Sequence, residues 1–218
     1  MKLARASAFF AALVVASTAM SHAPVAENLF PTSKGSTWVM HTIVPGQPAP
    51  LDAHVAVISE AKSGGTKTAV FEYKVNCVTI QAETYIVTAD HVARRSSGKE
   101  GSSVLKPPMP IIEYPMKVGK NWSYHGTVTV PSAEGGQLEL QSEATLKVAA
   151  LEEVKTGAGT FKAYRVDLKG SVTGPDGSKQ ELVNSYWFAP NVGMVKQVAT
   201  LPGISGEIVG TISSYSIK

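Results

Sequence analysis

The sequence predicts an all-β fold, a duplicated antiparallel sheet. Three observations carry that prediction. The first is a repeat: Phe30-Pro31-Thr32-Ser33-Lys34-Gly35-Ser36-Thr37-Trp38-Val39-Met40-His41 returns as Tyr114-Pro115-Met116-Lys117-Val118-Gly119-Lys120-Asn121-Trp122-Ser123-Tyr124-His125. Pro31 and Pro115, Gly35 and Gly119, Trp38 and Trp122, and His41 and His125 are each 84 residues apart, and a long fixed period marks duplicated structural units. The second is period-2 alternation through most of the remaining chain, the pattern of half-buried strands. The third is regular punctuation by turn residues, at Ser63-Gly64-Gly65, Glu134-Gly135-Gly136, Gly157-Ala158-Gly159 and Gly174-Pro175-Asp176-Gly177, which fits an antiparallel meander.

Residues 1–23 read as a signal peptide, with Lys2 and Arg5 ahead of an apolar run over 6–16 and small residues near the cleavage point. Ser21-His22-Ala23 and Ser17-Thr18-Ala19 compete as the cleavage site. The implied location is periplasmic or secreted. The run is shorter than the ~20 residues a membrane-spanning helix needs, so no transmembrane segment is expected. The lone cysteine, Cys77, is not placed to carry a lipid. The formal charge of +3 arises from 20 basic and 17 acidic residues. Without Lys2 and Arg5 it falls to +1, and no basic stripe interleaved with aromatics is present, which excludes nucleic acid as a partner.

Residues 24–95 form the first β repeat. Its Pro-Gly-Trp block reads as a strand entry: Pro costs no ladder bond at a first strand residue, Gly permits a bend, and Trp buries a large ring. Further along, Phe71, Tyr73, Val75 and Cys77 alternate on one face, which predicts a buried thiol. Residues 96–110 are polar and glycine-rich and then contain Pro107-Pro108-Met109-Pro110, so they read as a linker that cannot donate a regular ladder. Residues 111–218 form the second repeat, sharing one core with the first. Leu138, Leu140, Ser142, Ala144, Leu146, Val148 and Ala150 mark a long strand; Tyr164, Val166 and Leu168 mark another; Val209, Thr211, Ser213, Tyr215 and Ile217 mark the last.

The blocks Tyr114–Trp122, Gly157-Ala158-Gly159-Thr160-Phe161-Lys162-Ala163 and Tyr186-Trp187-Phe188-Ala189-Pro190-Asn191-Val192-Gly193-Met194-Val195-Lys196 resemble a large, mostly uncharacterised group of exported bacterial β-proteins. In that group a P-x-x-x-G-x-x-W strand and a Y-W-[FY]-A-P-x-V-G corner recur. The resemblance covers about half of the chain and implies that the duplicated sheet is strongly curved, of half-barrel or sandwich-like form, similar in outline to the periplasmic lipoprotein carriers, which hold acyl chains on a concave face. The first repeat has a looser corner, Tyr85-Ile86-Val87-Thr88-Ala89-Asp90-His91-Val92, with His91 where glycine is expected.

No catalytic constellation stands out. His41 and His125 occupy equivalent places and could converge on a metal or an anion, yet no third ligand stands at a recognisable spacing. Asp90-His91 reads as a turn, as does Gly203-Ile204-Ser205-Gly206, which lacks the nucleophile-elbow spacing. Glu152, Glu153, Asp167 and Glu181 are available to a hydrolase but cannot be paired from sequence. No cofactor or metal motif is found. The expected function is therefore non-catalytic: an exported β-protein that binds a lipid or other apolar ligand, or an envelope-associated module with a protein partner. A secreted hydrolase whose carboxylates the fold assembles is the alternative. Candidate ligand-binding residues are Trp38, Met40, Trp122, Tyr124 and Trp187.

Overall fold

The computed structural model describes residues 28–132, 134–200 and 204–218. The expected signal peptide and Gly203 lie outside the described residues. Twelve strands follow one another: β1 (Thr37–Ile43), β2 (Leu51–Ser63), β3 (Thr66–Val75), β4 (Val78–Val87), β5 (His91–Ser97), β6 (Ser103–Glu113), β7 (Asn121–Pro131), β8 (Gln137–Thr156), β9 (Gly159–Thr173), β10 (Lys179–Ala189), β11 (Gly193–Thr200) and β12 (Ile208–Ser216). Each pairs antiparallel with its successor, and β12 returns to β1, Thr37 standing opposite Ser216 and Ile43 opposite Val209. The result is a closed barrel, not the half-barrel or sandwich the sequence suggested. Closure removes the free edges that an open curved sheet would leave for intermolecular pairing.

Alternation decides which face is inside. On β8, Ser142, Ala144, Leu146 and Val148 are buried while Glu143, Thr145 and Lys147 are exposed. An apolar interior with a charged exterior is the reverse of what a lipid-embedded barrel presents. Among the described residues no helix is long and apolar enough to cross a membrane. One hydrophobic cluster runs through both halves of the chain.

The stretch read as a linker, residues 96–110, instead runs through the end of β5, a 3₁₀ turn (Lys99–Gly101) and most of β6. Its prolines leave a seam: β6 and β7 pair only where Val104–Lys106 meets Thr127–Thr129. Below that point side chains replace the ladder. Trp122 Nε1 donates to the Pro110 carbonyl and Tyr124 Oη to the Pro107 carbonyl, each at 3.0 Å. Gly126 is required here, because a Cβ would lie 2.5 Å from Tyr124 Oη and 2.6 Å from the Lys106 carbonyl.

The two Pro-Gly-Trp blocks enter the barrel in the same way. Gly35 N–H donates to the Val57 carbonyl and Val57 N–H to the Ser36 carbonyl, both at 2.9 Å. Gly119, Val148 and Lys120 make the equivalent pair at 2.8 Å, and a bulge follows each valine. The corners differ. Gly193 takes φ +94° at the β10–β11 turn, whereas at β4–β5 the Thr88 hydroxyl accepts from the N–H groups of Asp90 and His91 and holds the turn without glycine. Cys77 is exposed rather than buried. Asn76 and Cys77, at φ 50° and 64°, form the two-residue β3–β4 hairpin turn, so the alternation that placed the thiol inside ends at Val75.

Two segments close one end of the barrel. Residues 28–36 insert Leu29 and Phe30 into the core, and the Asn28 carbonyl accepts from Asn191 N–H. Phe30 packs against Phe71, Tyr85 and Phe188. The β8–β9 hairpin also overshoots this end. Its tip reaches β12, where Ala158 N–H donates to the Ile212 carbonyl and Phe161 meets Tyr215. β11 pairs β12 only through Lys196–Ala199, and the tip takes up the edge beyond.

Candidate functional site: the barrel lumen

A cavity of about 380 Å³ occupies the lumen, away from the plugged end. Met40, Ala53, Ile80, Ala199 and Ile208 give it an apolar wall; Tyr73, Gln81, Glu83, Tyr85, Arg94 and Tyr186 give it a polar one. Alternation on adjacent strands assembles that polar wall. Phe71 and Tyr73 on β3 stand opposite Glu83 and Gln81 on β4, and Tyr85 stands opposite Arg94 on β5. Tyr186 comes from β10 on the far side of the barrel.

Glu83 is 4% exposed, and a carboxylate at that depth must be hydrogen-bonded. Its Oε2 accepts from Tyr73 Oη at 2.7 Å and Tyr85 Oη at 2.6 Å, while its Oε1 accepts from Gln81 Nε2 at 2.9 Å. Arg94 Nη1 lies 3.5 Å from that Oε1, a long and weak charge pair. Arg94 also hydrogen-bonds Tyr186, but its Nε is buried without a partner. Burial pushes the Tyr73 and Tyr85 hydroxyls well above the usual tyrosine range, and the Glu83 charge pushes them further. Tyr186 is raised by burial and moderated by Arg94. Burial opposes the charge on Arg94, while the neighbouring Tyr186 and Glu83 favour it and the net direction is upward.

The five sequence-predicted ligand residues are all buried but do not converge. Met40 lines the cavity. Trp38 packs on Phe71 and donates from Nε1 to the Val192 carbonyl at 2.7 Å. Trp122 and Tyr124 bridge the β6–β7 seam. Trp187 follows the inward Tyr186 and so takes the opposite face, where its Nε1 donates to Glu152 at 2.7 Å and Lys196 lies over its ring. The histidines do not meet. Each pairs instead with the carboxylate directly across its own ladder, His41 Nδ1 with Asp52 at 2.8 Å and His125 Nδ1 with Glu143 at 4.0 Å. Among the described residues no group of His, Cys, Asp and Glu could hold a metal ion. Two of the hydrolase candidates are brought together, but around an arginine. Glu152 and Asp167 flank Arg165, and Glu181 is paired with Lys179 in solvent.

The Glu83–Arg94 cluster was missed by sequence reasoning. The signal was present in Gln81, Glu83 and Tyr85, which share alternate positions of one strand, so a buried Tyr85 implies buried Gln81 and Glu83.

A DUF3108-like family profile matches residues 111–199. Comparison with the curated proteins finds no match. Among solved structures, the chain is similar to a candidate lipoprotein from Parabacteroides distasonis, with a TM-score of 0.61 at 13% identity. It is also similar to a candidate exported protein with a YmcC-like fold from Bacteroides fragilis, with a TM-score of 0.57 at 12% identity. Each alignment covers 86% of this chain and 98% of the other. At these identities the likeness is one of fold.

Proposed function

We propose that this protein is an exported, non-catalytic barrel that binds an apolar ligand in its lumen. The observation that carries the proposal is the 380 Å³ cavity with its apolar wall, adjoining the barrel's continuous hydrophobic core. Protein interiors rarely leave such volume unused. Export is supported by the signal-peptide pattern of residues 1–23 and by the named character of the two structural neighbours. The matched strand entries at Gly35 and Gly119 support descent from a duplicated six-strand unit. Glu83 is a poor general base or nucleophile, because both its oxygens are already engaged by three donors, and this favours binding over hydrolysis.

Ile43, Val78 and Ile80 are exposed at the cavity end of the barrel, where an apolar ligand would enter. The test is native mass spectrometry of the protein taken from the exported fraction under mild conditions. The expected result is an added mass that organic extraction removes and that Ala199→Phe, which fills the cavity, prevents. An apo mass that stays unchanged when lipid extract is added back would overturn the proposal.

A further inference from the structure

Beyond an apolar ligand of any kind, we infer that the lumen takes a single-chain amphiphile with one carboxylate head, bound by the Arg94 guanidinium. This rests on the lumen being the binding site. Arg94 is the member of the polar cluster with unused capacity. Glu83 draws its hydrogen bonds from Tyr73, Tyr85 and Gln81, so its charge is stabilised without a close contact from Arg94. The guanidinium is left with the long 3.5 Å approach to Glu83, the Tyr186 bond and an Nε with no partner. A half-buried, charged, five-donor group with one donor buried and unpaired is costly. A carboxylate satisfies it with the planar geometry a guanidinium fork prefers.

The side chain is 23% exposed, and it lines the cavity together with Met40, Ala53, Ile80, Ala199 and Ile208. Head and chain sites are therefore contiguous. The cavity lies near the lower end of the ~300–1,000 Å³ typical of small-molecule sites, which suits one alkyl chain and not a diacyl lipid. Near neutrality of the Glu83–Arg94 pair favours a singly charged head over a doubly charged phosphate monoester.

The test compares dodecanoate with dodecanol, equal in chain length, titrated into the delipidated mature protein by calorimetry. Dodecanoate is expected to bind at least about tenfold more tightly, the scale of a charge-assisted hydrogen bond. Arg94→Gln should abolish that preference while dodecanol binding persists. Because loss of Arg94 could compromise folding, Asn184→Asp serves as a second variant. It adds a negative charge to the cavity wall and should weaken dodecanoate alone. Equal affinity for acid and alcohol overturns the carboxylate assignment and leaves the lumen reading intact. A preference that survives both variants also overturns it. Binding of neither compound overturns the lumen reading together with this inference.

Discussion

The wall formed by β7–β9 and the wall formed by β3–β5 are built on the same alternating pattern and put it to different uses. In the first, Leu146 faces Leu168 and Val148 faces Val166 across one ladder, all four between 0% and 2% exposed. In the second, the inward positions hold Tyr73, Gln81, Glu83, Tyr85 and Arg94 beside open volume. Dry cross-strand pairs stabilise by burial and dispersion, and any shape-compatible hydrophobe would serve. The polar wall depends on its members' mutual pairing, and a buried ion pair contributes little over an apolar replacement. The β3–β5 wall thus combines buried core residues such as Phe71 and Val92 with a polar cluster that the β7–β9 wall lacks.

The largest expected effect tests that difference. Glu83→Ala leaves the Arg94 charge and two tyrosine hydroxyls without their acceptor, and should destabilise by about 3–5 kcal/mol. The double variant Glu83→Leu/Arg94→Met removes both charges and should recover most of the loss, measured by urea unfolding. Equal destabilisation of the single and double variants would mean the cluster acts through shape alone. Leu146→Ala, on the dry wall, should cost about 2–5 kcal/mol, with no partner substitution able to restore it.

Alkaline unfolding separates the walls next. Burial raises the hydroxyls of Tyr73, Tyr85 and Tyr186 above the ordinary tyrosine value of 10.0. Above pH 10 the unfolded chain loses tyrosine protons that the folded barrel retains. The folded state then binds more protons, so stability is full below pH 10 and falls as pH rises beyond it. Tyr73→Phe should flatten that fall, followed by thermal melts between pH 9 and 12. An unchanged slope would remove Tyr73 from the buried network.

Much of this architecture was legible because strands announce themselves locally. The alternation around Leu146 and the Pro-Gly-Trp entries needed only neighbouring residues to read. Closure did not, since the β1–β12 pairing joins residues about 170 apart and nothing near Thr37 or Ser216 encodes it. The proline run hid β6 because its structural contribution is carbonyls, which accept from Trp122 and Tyr124 instead of from a neighbouring ladder. The site was partly legible. Met40 followed from its strand face, but Arg94 in Arg94-Arg95 reads as an ordinary surface pair until β4 places Tyr85 beside it.

A smaller effect probes the seam between the halves. Tyr124→Phe deletes the bond to the Pro107 carbonyl at the cost of about 0.5–1.5 kcal/mol. Hydrogen exchange should report the loss first at Val104–Lys106, the short ladder beside it. Loss spread evenly over the barrel would show that the seam carries no local weakness.

The smallest effect belongs to the β3–β4 turn, remote from both walls. Cys77 holds φ 64° after Asn76 at φ 50°, a pairing in which glycine is the favoured second residue. Its side chain is exposed and unbridged, so Cys77→Gly removes backbone strain without removing a packed group. Glycine's greater freedom in the unfolded chain offsets part of the gain. The net should be a stabilisation of about 0.5 kcal/mol, read from the urea midpoint at unchanged slope. A loss of stability would mean that the thiol makes a contact the turn depends on.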